Sequence, residues 1–244
     1  MRVYVNYDEN NLTPYQVCEF SIKKQHPDWD VLPLCRQDLR KKKIFTRSLH
    51  EDNEPDLTRF CVPYLTNYKG LALYCDSSLL INDSLQPILD CFDDRFAMAC
   101  VKHYFETNKR WKQDKHVRSS LILWNCKHTA NRQLTPQVIN SADPDFLHEL
   151  KWLTKYDVMG LPKTYNYLVG QYPNDAQPKV LNFMYGSPST RGFENCDYAN
   201  WWWSAFHEKE ATQPTPVTQD MIKIQEIPKK EQGMWSFFKD WFLN

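Results

Sequence analysis

The sequence predicts an α/β fold, and three observations carry that expectation. The chain opens with strand, turn and helix in immediate succession. Leu71-Ala-Leu-Tyr-Cys75 is a continuous apolar run bounded by polar residues, and similar runs recur at Phe96–Val101 and Leu121–Trp124. A strand that is apolar at every position is buried on both faces, which requires helices on both sides of its sheet.

The elements follow in order. Arg2–Tyr7 is rich in β-formers and ends in a polar turn carrying Tyr7 and Asp8. Thr13-Pro14-Tyr15-Gln16 has the form of a capping box with Pro at the first helical position, and Val17, Cys18, Ser21 and Ile22 supply the inner stripe of that helix. Leu57, Phe60, Cys61, Tyr64, Leu65 and Tyr68 recur at helical spacing, Pro63 marks a kink or a short first turn, and Gly70 stands where a left-handed cap is needed. Asp76 then closes the central strand. An acid there sits at the carboxyl edge, where ligands bind in open α/β sheets; the alternative is an ordinary cap of the next turn.

Further on, Asn82-Asp83-Ser84 caps a short helix, and Lys102-His103 ends the next strand, as a ligand contact or as plain surface. Residues 106–116 interleave Lys109, Arg110, Lys112 and Lys115 with Trp111, in the manner of a lid. Ser119–Cys126 forms another strand, and Thr135-Pro136 and Asp143-Pro144 open two helices, the second turning Phe146, Leu147, Leu150 and Leu153 inward. Lys179–Pro188 reads as a last strand and glycine turn. Beyond it, Thr212–Pro216 is a stiff polar linker, and Gly233–Leu243 is an aromatic-rich segment that either packs on the domain or lies in a membrane interface.

Composition narrows the function. Lys plus Arg and Asp plus Glu each count 30 in 244 residues, so no overall field attracts nucleic acid. The run Arg40–Lys43 is local and reads as solvated surface or a phosphate contact. The 8 cysteines lack zinc spacing and sit among apolar residues, the pattern of small buried hydrophobes in a reducing compartment. With a strand at the very start and no long apolar stretch, the expectation is a cytoplasmic protein.

A resemblance sharpens this reading. Arg59-Phe-Cys-Val-Pro-Tyr-Leu65, then Lys69-Gly-Leu-Ala-Leu-Tyr-Cys-Asp-Ser-Ser-Leu-Leu80, resembles the segment that carries the Asp-X-Asp metal motif in GT-A glycosyltransferases, above all bacterial proteins akin to glycosyltransferase family 8. Here the motif reads Asp76-Ser77-Ser78, and its second acid is missing. Tyr7-Asp8 matches the family's nucleotide-facing pair, which without the other matches is an ordinary turn dipeptide. Asn182 stands where the family commonly has a metal-binding His, followed by Gly186 and Pro188. The likeness spans roughly residues 2–203.

The resemblance implies a three-layer α/β/α domain over 1–210 with a mixed, mostly parallel sheet, followed by 211–244 as linker and terminal segment. It implies transfer of a sugar from a nucleoside diphosphate sugar, a UDP-sugar in the first instance, to a glycan or lipid-linked acceptor. Asp76 and Lys102 carry over as catalytic, Tyr7, Asp8, Arg59 and Gly186 as donor contacts, and His103, Ser119, Ser120, Asn125 and Asn166 as sugar or acceptor contacts. Asp76, Ser78 and Asn182 would hold a divalent cation, Mn2+ or Mg2+, weakly or dispensably because only one is anionic. The alternative is an impaired protein that binds nucleotide sugars or acts as a scaffold. The terminal segment offers a peripheral membrane contact.

Overall fold

The computed structural model describes residues 1–47, 57–107, 110–114, 117–173 and 177–212; between 105 and 118 it describes backbone only. The polar stretch His50–Pro55, the side chains of the expected lid and everything in the expected terminal segment after Thr212 lie outside the described residues. The strands are β1 (Arg2–Tyr7), β2 (Asp30–Cys35), β3 (Leu71–Cys75), β4 (Leu79–Ile81), β5 (Met98–Val101), β6 (His103–Thr107), β7 (Arg110–Asp114), β8 (Leu121–Asn125), β9 (Val158–Leu161), β10 (Tyr167–Leu168) and β11 (Val180–Asn182). The helices are α1 (Leu12–Gln25), α2 (Arg36–Lys41), α3 (Val62–Leu65), α4 (Gln86–Asp90), α5 (Pro136–Ser141), α6 (Pro144–His148) and α7 (Ala199–Thr212).

Six strands form the main sheet in the order β2-β1-β3-β8-β5-β9. Only β8 runs against its neighbours; the β1–β2, β1–β3 and β5–β9 pairs are parallel. The mixed, mostly parallel α/β sheet expected from the sequence is therefore the one observed. Tyr74, Met98, Ile122 and Trp124 point to one face with Phe60, Leu147 and Trp152, while Val5, Leu73, Ala99 and Leu123 point to the other with Tyr15, Cys18, Ile22 and Ile88. This two-sided burial is the physical reason for the unbroken apolar runs. A small sheet, β10-β11-β4, packs with α7 in a third cluster that includes Tyr167, Phe183 and Trp202.

Several helix boundaries differ from the sequence reading; α6, for one, ends at His148, so Leu150 and Leu153 lie beyond it. α1 starts at Leu12 behind Asn11, which makes no side-chain cap, so Thr13 is not the cap. Pro14 is still tolerated, because the first four helical N–H groups have no partner within the helix. The segment after Leu57 is a 3-10 turn, Leu57–Cys61, leading into the short α3. Asn67 and Tyr68 take left-handed φ values of 53° and 55°, and Tyr68 N–H bonds back to the Pro63 carbonyl at 2.8 Å, so the chain turns before Gly70. Thr135 and Asp143 do cap α5 and α6 through Val138 N and Asp145 N.

All eight cysteines are free thiols. Burial pushes the Cys75 thiol up and raises Cys126 to about 11, so both stay protonated and behave as small hydrophobes. Arg40 to Lys43 are exposed, the solvated-surface reading of that run. Among the described residues, no helix is long and apolar enough to cross a membrane.

His26, just past α1, stacks on Trp29 at 3.6 Å and accepts a hydrogen bond from Leu85 N–H through Nε2 at 2.9 Å. That bond needs the neutral ring, and burial holds its pKa below the usual 6.5. The folded state therefore binds fewer protons than the unfolded one, and the His26 contribution is complete above about pH 6.5 and lost as pH falls below it. Thermal unfolding at pH 7.5 and 5.5 should show a larger fall in Tm for the native protein than for His26→Gln; equal falls would remove His26 as the acid-sensitive joint.

Candidate functional site

Strand direction assembles the site. The carboxyl ends of β1, β3 and β5 and the amino end of the reversed β8 meet at one sheet edge. Tyr7-Asp8, Asp76, Lys102-His103 and Ser119-Ser120 therefore share that edge, and Asp76 N–H donates to the Ser120 carbonyl at 2.8 Å.

Asp76 is the centre of a hydrogen-bonded knot. Its Oδ1 accepts from the Tyr74 hydroxyl at 2.5 Å and from Arg59 Nη2 at 3.0 Å, and its Oδ2 lies 3.5 Å from Arg59 Nη1. The same Nη1 donates to the carbonyl of Ser119 at 2.8 Å and to its hydroxyl at 2.7 Å. Arg59 is only 4% exposed and its guanidinium lies 5.0 Å from the centre of the Tyr74 ring. Local sequence explains the approach: residues two apart on a strand share a face, so Tyr74 and Asp76 both point toward the 3-10 turn that carries Arg59. Below the carboxylate the chain reverses through Ser77 and Ser78, with Leu79 N–H bonded to the Asp76 carbonyl at 3.1 Å and Ser77 N–H to Asn6 Oδ1 at 2.7 Å.

A second, neutral chain of groups runs beside the knot. The antiparallel β4–β11 pair sets Asn182 opposite Leu79, and Ser78 Oγ donates to Asn182 Oδ1 at 3.1 Å. Asn182 Nδ2 donates in turn to Asn166 Oδ1 at 2.8 Å, with both asparagines fully buried.

These residues do not fit a divalent cation. Hard cations take six or more oxygens and favour carboxylates. Here the Asp76 charge is already balanced by Arg59, and the Ser78 hydroxyl and the Asn182 amide oxygen are bonded to each other. Among the described residues no three His, Cys, Asp or Glu side chains are grouped to hold a metal ion.

Several expected contacts are placed otherwise. Lys102 does not face the edge: its ammonium runs back past Gly160 to the Val158 carbonyl at 3.0 Å. His103 is at the edge but sealed, 1% exposed, with Nδ1 2.6 Å from the Tyr172 hydroxyl. Asn125 stands at the opposite edge because β8 is reversed, and its Nδ2 holds the carbonyls of Asp94 and Phe96. Gly186 is not an open phosphate cradle; a Cβ there would lie 2.5 Å from the Phe193 ring, so the glycine makes room for packing. Tyr7 packs edge-on against Tyr15, and the exposed Asp8 accepts from Asn10 N–H at 2.9 Å. Three residues missed from sequence complete the site: Tyr74, Asn6 and Tyr172. The first two were recoverable, Tyr74 from its two-residue spacing to Asp76 and Asn6 from its place one residue before Tyr7. Tyr172 carries no such signal.

No protein-family model matches the chain. It is 30% identical over 223 residues to Protein CDI of Arabidopsis thaliana, covering 85% of this chain and 86% of that protein. Among solved structures it is similar to the bifunctional glycosyltransferase WbbM, with TM-score 0.63 and 14% identity over 92% of this chain and 51% of that one. The glycosyltransferase GlyE of Streptococcus pneumoniae TIGR4 gives 0.60 and 13%, over 84% and 60%. The galactosyltransferase LgtC, solved with donor and acceptor sugar analogs, gives 0.54 and 15%, over 90% and 98%. The chain thus spans about half of WbbM and three fifths of GlyE. These neighbours are GT-A glycosyltransferases, and the shared architecture makes this a GT-A fold.

The knot predicts unequal costs. Asp76→Ala strands a buried guanidinium and should destabilise the protein by about 3–5 kcal/mol, whereas Ser78→Ala loses one neutral hydrogen bond worth about 1 kcal/mol. Urea unfolding would compare them, and equal costs would mean that Asp76 is not the keystone of this edge.

Proposed function

Because the chain belongs to the family of Protein CDI and has the GT-A fold, we propose that it is a glycosyltransferase that binds a nucleoside diphosphate sugar, with UDP-sugar as the first choice, at the Asp76 edge without a tightly held metal ion. The observation that carries this reading is the meeting of Tyr7-Asp8, the Arg59–Asp76–Ser119 knot and the Ser78–Asn182–Asn166 chain at one sheet edge. Ligands of open α/β sheets bind at that edge. The relationship to glycosyltransferase family 8 rests on the order and spacing of the same residues.

In the transfer, the bond between the anomeric carbon and the diphosphate oxygen breaks as a bond to an acceptor hydroxyl forms, and the hydroxyl proton passes to the leaving diphosphate or to water. Negative charge grows on the diphosphate, and fixed dipoles and cations aimed at it lower the barrier. Asp76 and the serines shape the pocket, with the sugar hydroxyls as their partners. Lys102 meets the diphosphate only by releasing the Val158 carbonyl. The acceptor is a glycan or a lipid-linked sugar.

A second reading, nucleotide-sugar binding without transfer, is favoured by one observation: the basic groups expected at this edge are already engaged, Arg59 with Asp76 and Ser119, and Lys102 with the Val158 carbonyl. Calorimetric titration with UDP in EDTA and in manganese, followed by an assay of UDP release from UDP-sugars, separates the cases. The expected result is binding that agrees within about threefold in the two buffers, together with release of UDP. Binding without release selects the second reading. Strong manganese dependence would restore the cation, and failure of UDP, GDP and ADP alike to bind would sink the nucleotide-sugar assignment.

A further inference from the structure

α1 and the chain after Asp76 run side by side, away from the donor edge. Cys18 Sγ contacts the Asp76 carbonyl at 3.6 Å, Ser21 Oγ accepts from Ile81 N–H at 3.0 Å, and Gln25 Nε2 donates to the Asn82 carbonyl at 3.3 Å. Over the Ser21–Gln25 stretch, α7 closes from the other side and leaves a cavity of about 320 Å³. The lining starts at Phe20 and Ser21 on α1 and at Leu80 on β4, and it includes none of Asp76, Ser78, Asn166 or Asn182.

The lining comes from two helical faces and a strand. Phe20 and Trp201 supply aromatic walls, Leu80 an apolar floor, and Lys24, Glu208, Asn82 and Ser204 a polar rim. Trp201, Ser204 and Glu208 fall at spacings of three and four on α7, which brings them to one face.

Charge and polarity decide what fits. Lys24 and Glu208 pair at 2.6 Å, so their charges cancel and neither a phosphate nor a carboxylate ligand gains a free cation. One carboxylate, already paired, makes no metal site. The polar rim is costly for a lipid chain to bury. A neutral, hydroxyl-rich ring with an apolar face matches what remains: aromatic walls for its C–H face, and amide, hydroxyl and ion-pair groups for its hydroxyls.

We propose that the groove between α1, α7 and β4 is a saccharide-binding subsite for a neutral glycan, separate from the donor edge. Calorimetric titration of the intact chain with maltotriose, cellotriose and xylotriose tests it. At least one should bind saturably, excess UDP should not displace it, and Trp201→Ala should weaken it by about tenfold or more. Ser204→Trp, at an exposed helical position, should fill the groove and abolish binding without relying on loss of a packed ring. The inference is overturned if none of the three sugars binds, if binding survives both substitutions, or if UDP displaces the sugar.

Discussion

A buried guanidinium facing one carboxylate sets the conditions for everything at the ligand edge of this protein. Taking Arg59 and Asp76 out of water costs several kcal/mol per ion, and their attraction offsets that cost only with good geometry and further hydrogen bonds. The Tyr74 hydroxyl and the hydroxyl and carbonyl of Ser119 supply those bonds. The knot thereby ties together three segments distant in sequence: the 3-10 turn at Arg59, the end of β3 and the entry to β8. The reversal at Ser77-Ser78 hangs from its lower side, and that reversal places β4 against β11.

The same pairing governs the chemistry available there. A carboxylate satisfied by arginine is a poor partner for a divalent ion. Ser78 and Asn182 still adjoin one another across β4 and β11, but as a neutral hydrogen-bonded pair continued by Asn166. Their donors and acceptors are used on one another, and both asparagines are fully buried. The architecture shared with GT-A glycosyltransferases thus carries, at this edge, a carboxylate already paired with arginine.

Much of the fold and part of this site were legible in the sequence. Continuous apolar runs announce strands covered on both sides, and three- and four-residue spacing marks the inner face of α1; both follow from local geometry and burial. Thr135 and Asp143 announced their helices because a side-chain cap needs only neighbours in the chain. Asp76 stood out from the order of helix, strand and acid, and Arg59 from the family resemblance. What local pattern could not supply was partnership: Tyr172 meets His103 across 69 residues, and Asn182 meets Ser78 across 104.

By itself, then, the sequence determined the layers, the strands of the core and the presence of an acid after β3, since burial and backbone periodicity are written residue by residue. Tertiary structure alone decided the direction of β8 relative to its neighbours. An apolar run reads the same in either direction, so the reversal of β8, which puts Ser119 at the site and Asn125 at the far edge, emerges only from pairing with β3 and β5. It also decided where long polar side chains go: the Lys102 ammonium lies on Val158 because a carbonyl of the neighbouring strand is within reach. Such choices depend on contacts made after the sheet has formed, and no short stretch of chain contains them.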